Sequence, residues 1–223
     1  MDLRQTLQIR PGITAIIGGG GKTTLLYALA REASKDARVI VCTTTHIFPP
    51  EHLPCLIADD ASEIRAALLK TNCVCVGSRS AEGKFSAPAI SFAQLLPLAD
   101  YIFVEADGSK RLPLKAHAPH EPVIPPEANQ TVLVLGASGL GKPIGQAAHR
   151  PALYAQKLGV TEDTLVTPAL AARLVTLEAL HTRVLINQVE TEEQWALARA
   201  LAACLTCPAA AGALQKENVI CLC

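Results

Sequence analysis

Residues 13–24 read ITAIIGGGGKTT. A short apolar run rich in β-branched residues, Ile13 to Ile17, meets four glycines, Gly18 to Gly21, followed by Lys22, Thr23 and Thr24. Apolar residues at helical spacing come next: Leu25, Leu26, Leu29 and Ala30. Strand, glycine loop, Lys-Thr and helix is the order of a phosphate-binding loop. Glycines let successive backbone N–H groups face one anion with no Cβ in the way. A helix that begins at Lys22 adds the positive end of its dipole at the same point. In this reading Gly18, Gly19, Gly20, Gly21 and Thr24 bind the nucleotide, Lys22 stabilises charge on the transferred phosphoryl group, and the Thr23 hydroxyl takes Mg²⁺.

The full pattern G-x-x-x-x-G-K-[ST] needs a glycine at position 16, where the chain has Ile16. The shorter G-x-x-G-K-T, starting at Gly18, looks like the ATP loop of the Mur ligases. Around this loop there is enough chain for a sizeable core. The 223 residues are half hydrophobic and only 18% charged, which predicts a compact, ordered fold. It is read as one nucleotide-binding domain over 1–223, with an inserted loop region at about 108–130. A formal net charge of zero argues against nucleic acid as a main partner. No apolar run is long enough to span a bilayer, and MDLRQTLQIRPG at the start lacks a signal-peptide core. A cytoplasmic protein with no membrane partner is the expectation. Its eight cysteines should then be reduced. Cys204-x-x-Cys207 with Cys221-x-Cys223 offers four thiolates of the kind zinc takes. The reading preferred is structural, because the first pair ends a helix and the second ends a strand.

Outward from the loop, strands and helices alternate. RVIVC at 38–42 reads as a second strand, buried on both faces. Asp60 with Glu63 starts a helix to about Lys70, and Cys73 to Val76 is a strand. Ser78 to Ala87 forms a hairpin or exposed loop. Ser91 caps a helix that stops near Pro97, and YIFVE at 101–105 is an apolar strand ending on a carboxylate. A long loop with five prolines occupies 108–126; a loop of that length within a compact domain is usually functional. Thr131 to Leu135 is a buried strand, Gly136 to Pro143 a turn, and Ala147 to Leu158 a helix. Pro168 opens a helix to about Ala179. Arg183 to Ile186 is a strand ending at Asn187, Thr191 caps a helix to Cys204, and Val219 to Leu222 closes the chain as a strand. This alternation predicts an α/β fold, a P-loop three-layer sandwich with a mostly parallel sheet and helices on both faces.

In open α/β sheets the ligand lies at the carboxyl ends of the strands. Four such ends carry polar residues here. The first is the glycine loop. The second is Thr43 to Thr45, of which Thr44 is a candidate for substrate contact. The third is Glu105-Ala106-Asp107-Gly108. An apolar strand ending in an acid is the metal-holding half of a P-loop nucleotidase. Positions 105 and 107 point the same way if the strand continues, so both carboxylates are metal candidates. Asp107, one step further out, is the candidate to orient the attacking group, and Gly108 to offer its N–H to the γ-phosphate. The fourth is Asn187-Gln188-Val189-Glu190, which looks like a degenerate form of the N-K-x-D base-reading motif of GTPases. Beyond these, Lys110, Arg111, Lys115, His117, His120 and Glu121 lie in the long loop, and His149 and Arg150 precede Pro151. Lys110, Lys115, His120, His149 and Arg150 are candidates for binding an anionic small-molecule substrate; His117 and His120 also have metal-ligand spacing.

IIGGGGKTTLLYALA, VCTTTHIFPP, VEADGSKRLPLKAHAPHEPVIP, HRP and LINQVE, in that order, resemble the YqeC family. That family is described as selenium-dependent hydroxylase accessory, or selenium cofactor biosynthesis, proteins. The resemblance covers about residues 10–195, and the cysteine pairs after residue 200 lie outside it. It implies a P-loop protein that helps mature selenium-dependent molybdenum hydroxylases, with such an enzyme or its cofactor machinery as partner; the loop residues themselves predict ATP or GTP with Mg²⁺. Glu105-x-x-Gly108 also looks like the acid-x-x-glycine motif of metallochaperone-type GTPases. Two rivals stand beside a nucleotide-hydrolysing maturation factor. One is an ATP-dependent ligase or kinase acting on a small anionic or selenium compound. The other is a non-enzymatic, nucleotide-gated scaffold that delivers a cofactor.

Overall fold

A computed structural model describes residues 2–80 and 83–222. Their α-helices are α1 (Leu3–Thr6), α2 (Lys22–Ala33), α3 (Ala61–Thr71), α4 (Phe92–Leu95), α5 (Ile144–Ala147), α6 (Pro151–Leu158), α7 (Pro168–Glu178) and α8 (Glu192–Ala203). The strands are β1 (Gly12–Gly18), β2 (Val39–Thr43), β3 (Cys55–Leu56), β4 (Cys73–Val76), β5 (Ser78–Arg79), β6 (Phe85–Ser86), β7 (Tyr101–Glu105), β8 (Leu114–Lys115), β9 (Ala128–Gly136), β10 (Ala148–His149), β11 (Arg183–Asn187), β12 (Ala209–Ala211) and β13 (Ile220–Cys221).

Nine of these strands form one sheet in the order β13-β12-β11-β9-β1-β7-β2-β4-β3. Neighbours run parallel except β12 with β13 at the edge. Side chains alternate across the sheet as the pleat requires. On one face Ile16, Val132, Val134, Phe103 and Val41 pack under α1 and α2. The other face is shared. Ile13, Ile40, Cys42, Ile102 and Val104 meet α3 and the 92–98 segment; Ala15, Ile17, Leu133, Leu135, Val184 and Ile186 meet α5 to α8. Both faces are covered, which is why the central strands are apolar at nearly every position. The expected α/β architecture is present, with the glycine loop leaving the central strand β1.

Some boundaries differ from the sequence reading. The helix expected from Ala147 begins at Pro151, because Ala148 and His149 pair with Leu114 and Lys115 as a two-stranded parallel ribbon. Arg150 then takes a left-handed conformation, φ 64°, as the N-cap of α6. The long loop is therefore not structureless: it contributes β8 to that ribbon. The alanines at 209–211 are a buried parallel strand, small enough to lie close under α8. The hairpin expected at 78–87 forms between β5 and β6, and its residues 81 and 82 lie outside the described residues. Cys223, one of the four cysteines with zinc-like spacing, is also outside them. No helix of the described residues is long and apolar enough to cross a membrane.

Candidate functional site

The sheet brings the polar strand ends to one edge. In register, Ile16 of β1 stands beside Glu105 of β7, and Glu105 beside Thr43 of β2. On the other side Gly18 stands beside Val134 of β9. After Gly18 the chain turns through the glycines into α2. The first helical bond runs from the Leu25 N–H to the Gly21 carbonyl, 3.0 Å. The N–H groups of Lys22, Thr23 and Thr24 precede it and so have no acceptor inside the helix. No side chain caps them. Thr23 and Thr24 are exposed, whereas Gly18, Gly19 and Gly20 are buried.

The buried half of the loop is already engaged. Gly18 N–H donates to Asp107 Oδ2 at 2.9 Å, Gly19 N–H to the Val134 carbonyl at 2.9 Å, and Gly20 N–H to the Leu112 carbonyl at 3.0 Å. Leu112 and Pro113 lie across the loop so closely that a Cβ on Gly19 would sit 2.6 Å from the Leu112 oxygen. Gly20, at φ 74°, would place a Cβ 2.4 Å from Gly136 N. Only glycine fits either position. The donors open to a ligand are thus the helical end, Gly21 to Thr24.

The β7 line continues past Glu105, since Ala106 N–H donates to the Ile16 carbonyl at 3.0 Å. Glu105 and Asp107 therefore both face the loop. Thr23 Oγ1 donates to Glu105 Oε2 at 2.7 Å. Burial raises the Glu105 pKa, and the nearby Lys22 charge and the Thr23 hydrogen bond only partly oppose it. Asp107 has no exposed side-chain surface. Its Oδ1 lies 3.2 Å from Lys22 Nζ, and its Oδ2 lies 3.0 Å from Lys115 Nζ and 2.8 Å from His117 Nε2. Burial alone would favour the protonated acid. The His117 hydrogen bond and the Lys22 and Lys115 charges overcome it and hold the pKa down to about 2. A carboxylate held that low is a poor proton acceptor near neutrality.

Lys22 Nζ also donates to the Gly18 carbonyl at 2.7 Å. Lys115 is fully buried and reaches the Gly108 carbonyl at 2.5 Å and Glu121 at 3.0 Å. Glu121 in turn meets Arg150 Nε at 3.0 Å. The other ring nitrogen of His117, Nδ1, lies 2.6 Å from Glu178 Oε2, and Glu178 Oε1 lies 2.6 Å from Lys157 Nζ. Burial works against a charged His117 ring, but the hydrogen bonds to Asp107 and Glu178 outweigh it and raise its pKa.

Asn187 sits at the end of β11, buried beside the loop. Its Nδ2 donates to the Gly20 carbonyl at 2.7 Å, and its Oδ1 accepts from Leu214 N–H at 3.0 Å. A cavity of about 300 Å³ opens here, lined by Gly21, Thr24, Asn187, Glu190 and Leu214 among others. A second hollow of about 500 Å³, with Thr23, Tyr27 and His52, lies on the other flank of α2.

The structure thus collects Gly18 to Thr24, Glu105, Asp107, Lys115 and Asn187 in one place. Thr44 lies nearby, but its hydroxyl is donated to the Val123 carbonyl at 2.7 Å. Gly108, Lys110 and His120 are exposed on the loop surface, and His149 and Arg150 lie on the β8–β10 side, beyond Glu121. Burial and the charges of Lys115 and Arg150 lower the His149 pKa. His117 and His120 do not form a metal pair, since both ring nitrogens of His117 face carboxylates. Among the described residues no group of three His, Cys, Asp or Glu is placed to hold a metal ion. Sequence reasoning missed Glu178 and Lys157. Glu178 ends α7 and Lys157 lies in the last turn of α6, and no spacing or motif in the chain links them to Asp107.

Comparison with known proteins adds two findings. A family model described as YqeC protein matches residues 14–152. The curated "Uncharacterized protein YqeC" of Escherichia coli (strain K12) is 37% identical over 164 residues, 70% of this chain and 64% of that protein. The match therefore spans less than two thirds of that relative's length. The stretch matched by the family model carries Lys22, Glu105, Asp107 and His117, and ends before Glu178 and Asn187.

Proposed function

Because this chain belongs to the YqeC family and ends its glycine loop on an uncapped helix beside a buried lysine, we propose that it binds and hydrolyses a nucleoside triphosphate with Mg²⁺. The observation that carries this reading is the set of N–H groups from Lys22 to Thr24, which no side chain caps, at a helix start where Thr23 and Thr24 are exposed and Gly18 to Gly20 are buried. Such a helix start favours an anion through both its free donors and its dipole. Phosphate oxygens lie on Gly21 to Thr24, and Lys22 meets the outer phosphates. Thr23 Oγ1 and Glu105 Oε2, 2.7 Å apart, are hard oxygen donors of the type Mg²⁺ takes. Bound there, the ion would neutralise phosphate charge. Asp107 serves as the counter-ion of Lys22, a role its three cationic neighbours support.

The wider role we propose is that of an accessory factor in maturing selenium-dependent molybdenum hydroxylases, drawn from the family resemblance. A second reading is transfer of the phosphoryl group to a small anionic acceptor. What favours it is the exposed pair Lys110 and Arg111, both left-handed at φ 49° and 63°, just past Gly108. Phosphate release with and without candidate acceptors separates the two.

The test of nucleotide binding is Lys22→Ala. Calorimetric titration with Mg·ATP and Mg·GTP should show at least tenfold weaker binding, about 1.4 kcal/mol. Unchanged binding and hydrolysis in a folded Lys22→Ala protein would remove the phosphate-loop reading.

A further inference from the structure

We infer that His117 and Glu178 are positioning residues for the phosphate lysine: they keep the Asp107 carboxylate in place and neutralised when Lys22 leaves it for a phosphate. The inference rests on the nucleotide reading above. Lys22 has 3% of its side chain exposed, and its ammonium is turned inward onto the Gly18 carbonyl and Asp107. It reaches an anion seated on Gly21 to Thr24 only by changing partners. Asp107, with no exposure, then loses a cation in a place where water does not replace it. A buried carboxylate stripped of its partner is strongly destabilising, so the exchange costs least when other cations remain.

Two do remain, Lys115 at 3.0 Å and His117 at 2.8 Å. Lys115 is shared with Glu121 at 3.0 Å. His117 is also shared, but in a way that reinforces it. Its Nδ1 lies 2.6 Å from Glu178 Oε2, and its backbone N–H donates to Glu178 Oε1 at 2.8 Å. A carboxylate on each ring nitrogen favours the imidazolium, the form that donates through both and carries a positive charge. Glu178 is held in turn by Lys157 Nζ at 2.6 Å, and the same ammonium donates to the His117 carbonyl at 2.7 Å. Lys22, Asp107, His117, Glu178 and Lys157 thus form one chain of ions that alternates in sign, from α2 to the ends of α7 and α6. Removing the middle cation leaves Asp107 more dependent on Lys22, and Lys22 less free to serve a phosphate.

The experiment is a mutant cycle read by calorimetry with Mg·ATP and Mg·GTP. The proteins are the parent, His117→Gln, Glu178→Gln, Asp107→Asn and the pairs of Asp107→Asn with each of the first two. His117→Gln should weaken binding about tenfold and Glu178→Gln about threefold. In the Asp107→Asn background, which has no carboxylate to neutralise, each should change affinity less than about twofold. Parent-like binding by both single variants overturns the inference. So does a loss that persists in full in the Asp107→Asn background, which marks a merely structural part. Should His117→Gln fail to fold, Glu178→Gln decides, since it keeps the side-chain shape and its hydrogen-bonding oxygen. A parent protein that binds neither nucleotide overturns the nucleotide reading and this inference with it; a parent that binds while the cycle shows no coupling overturns this inference alone.

Discussion

Asp107 and His117 are both buried and both paired, yet their contributions to stability run in opposite directions with pH. The His117 pKa is raised above its ordinary 6.5. Its stabilising share is complete below 6.5 and is lost as pH rises through the higher value it has in the folded protein. The Asp107 pKa is depressed from 3.8 to about 2, so its share is present above 3.8 and fades between 3.8 and about 2. Urea unfolding at a series of pH values should therefore show the midpoint falling as pH climbs above 6.5. His117→Gln should flatten that limb and also shrink the acid limb, because the His117 hydrogen bond is part of what depresses Asp107. A midpoint that rises with pH in this range would contradict a doubly donating His117. At this scale the sequence supplied the identity of the acid but not its state. Two residues past the strand-end Glu105, Asp107 suggests a second metal oxygen or a group that orients the attacking group. Its pKa follows from Lys115 and His117, which reach it by side-chain contacts that no spacing encodes.

The elements around the loop are held by a few specific bonds. Thr191 and Gln194 form a capping box at α8, so the Asn187 turn leads into a firmly started helix. Asn187 spends its amide on the Gly20 carbonyl and on Leu214 N–H. It ties the glycine loop to the segment after β12. Asn187→Ala leaves two buried groups without partners, which costs about 1–3 kcal/mol for each such group. Chemical denaturation should register that loss, and Mg·ATP and Mg·GTP should lose affinity alike. A loss confined to one nucleotide would instead assign Asn187 to the base. Gly20→Ala should be harsher still, because its φ of 74° and the 2.4 Å approach to Gly136 N admit no Cβ. The helix expected at Ala147 was misplaced for a reason at this same scale. Ala147 to Leu158 has apolar residues at helical spacing, but Ala148 and His149 pair with β8, and that tertiary contact outweighs helix propensity.

For the molecule as a whole, a ligand that binds only the folded state stabilises it by mass action. Mg·nucleotide at a hundred times its Kd should add about 2.7 kcal/mol, a rise in Tm of roughly 5–10 °C for a chain of this size. The shift should require Mg²⁺ and be lost in Lys22→Ala; an equal shift with Mg²⁺ omitted would argue against the Thr23–Glu105 metal position. The sequence by itself determined the layout: β1, the glycine loop and α2 in succession, the apolar strand ending at Glu105, and the alternation that makes a covered parallel sheet. Those features are local, written in periodicity, glycines and caps within a dozen residues of one another. Only the tertiary structure decided the order β9-β1-β7-β2, which sets Glu105 beside Ile16 and Thr43. Only it decided that Leu112 seals half the loop, and that Glu178 lies on the far side of His117 from Asp107. The bonds involved join residues as much as 92 and 61 positions apart, Gly20 with Leu112 and His117 with Glu178. Such contacts exist because buried backbone groups and buried charges must find partners once the sheet has closed over them, and that demand arises from packing rather than from any motif in the chain.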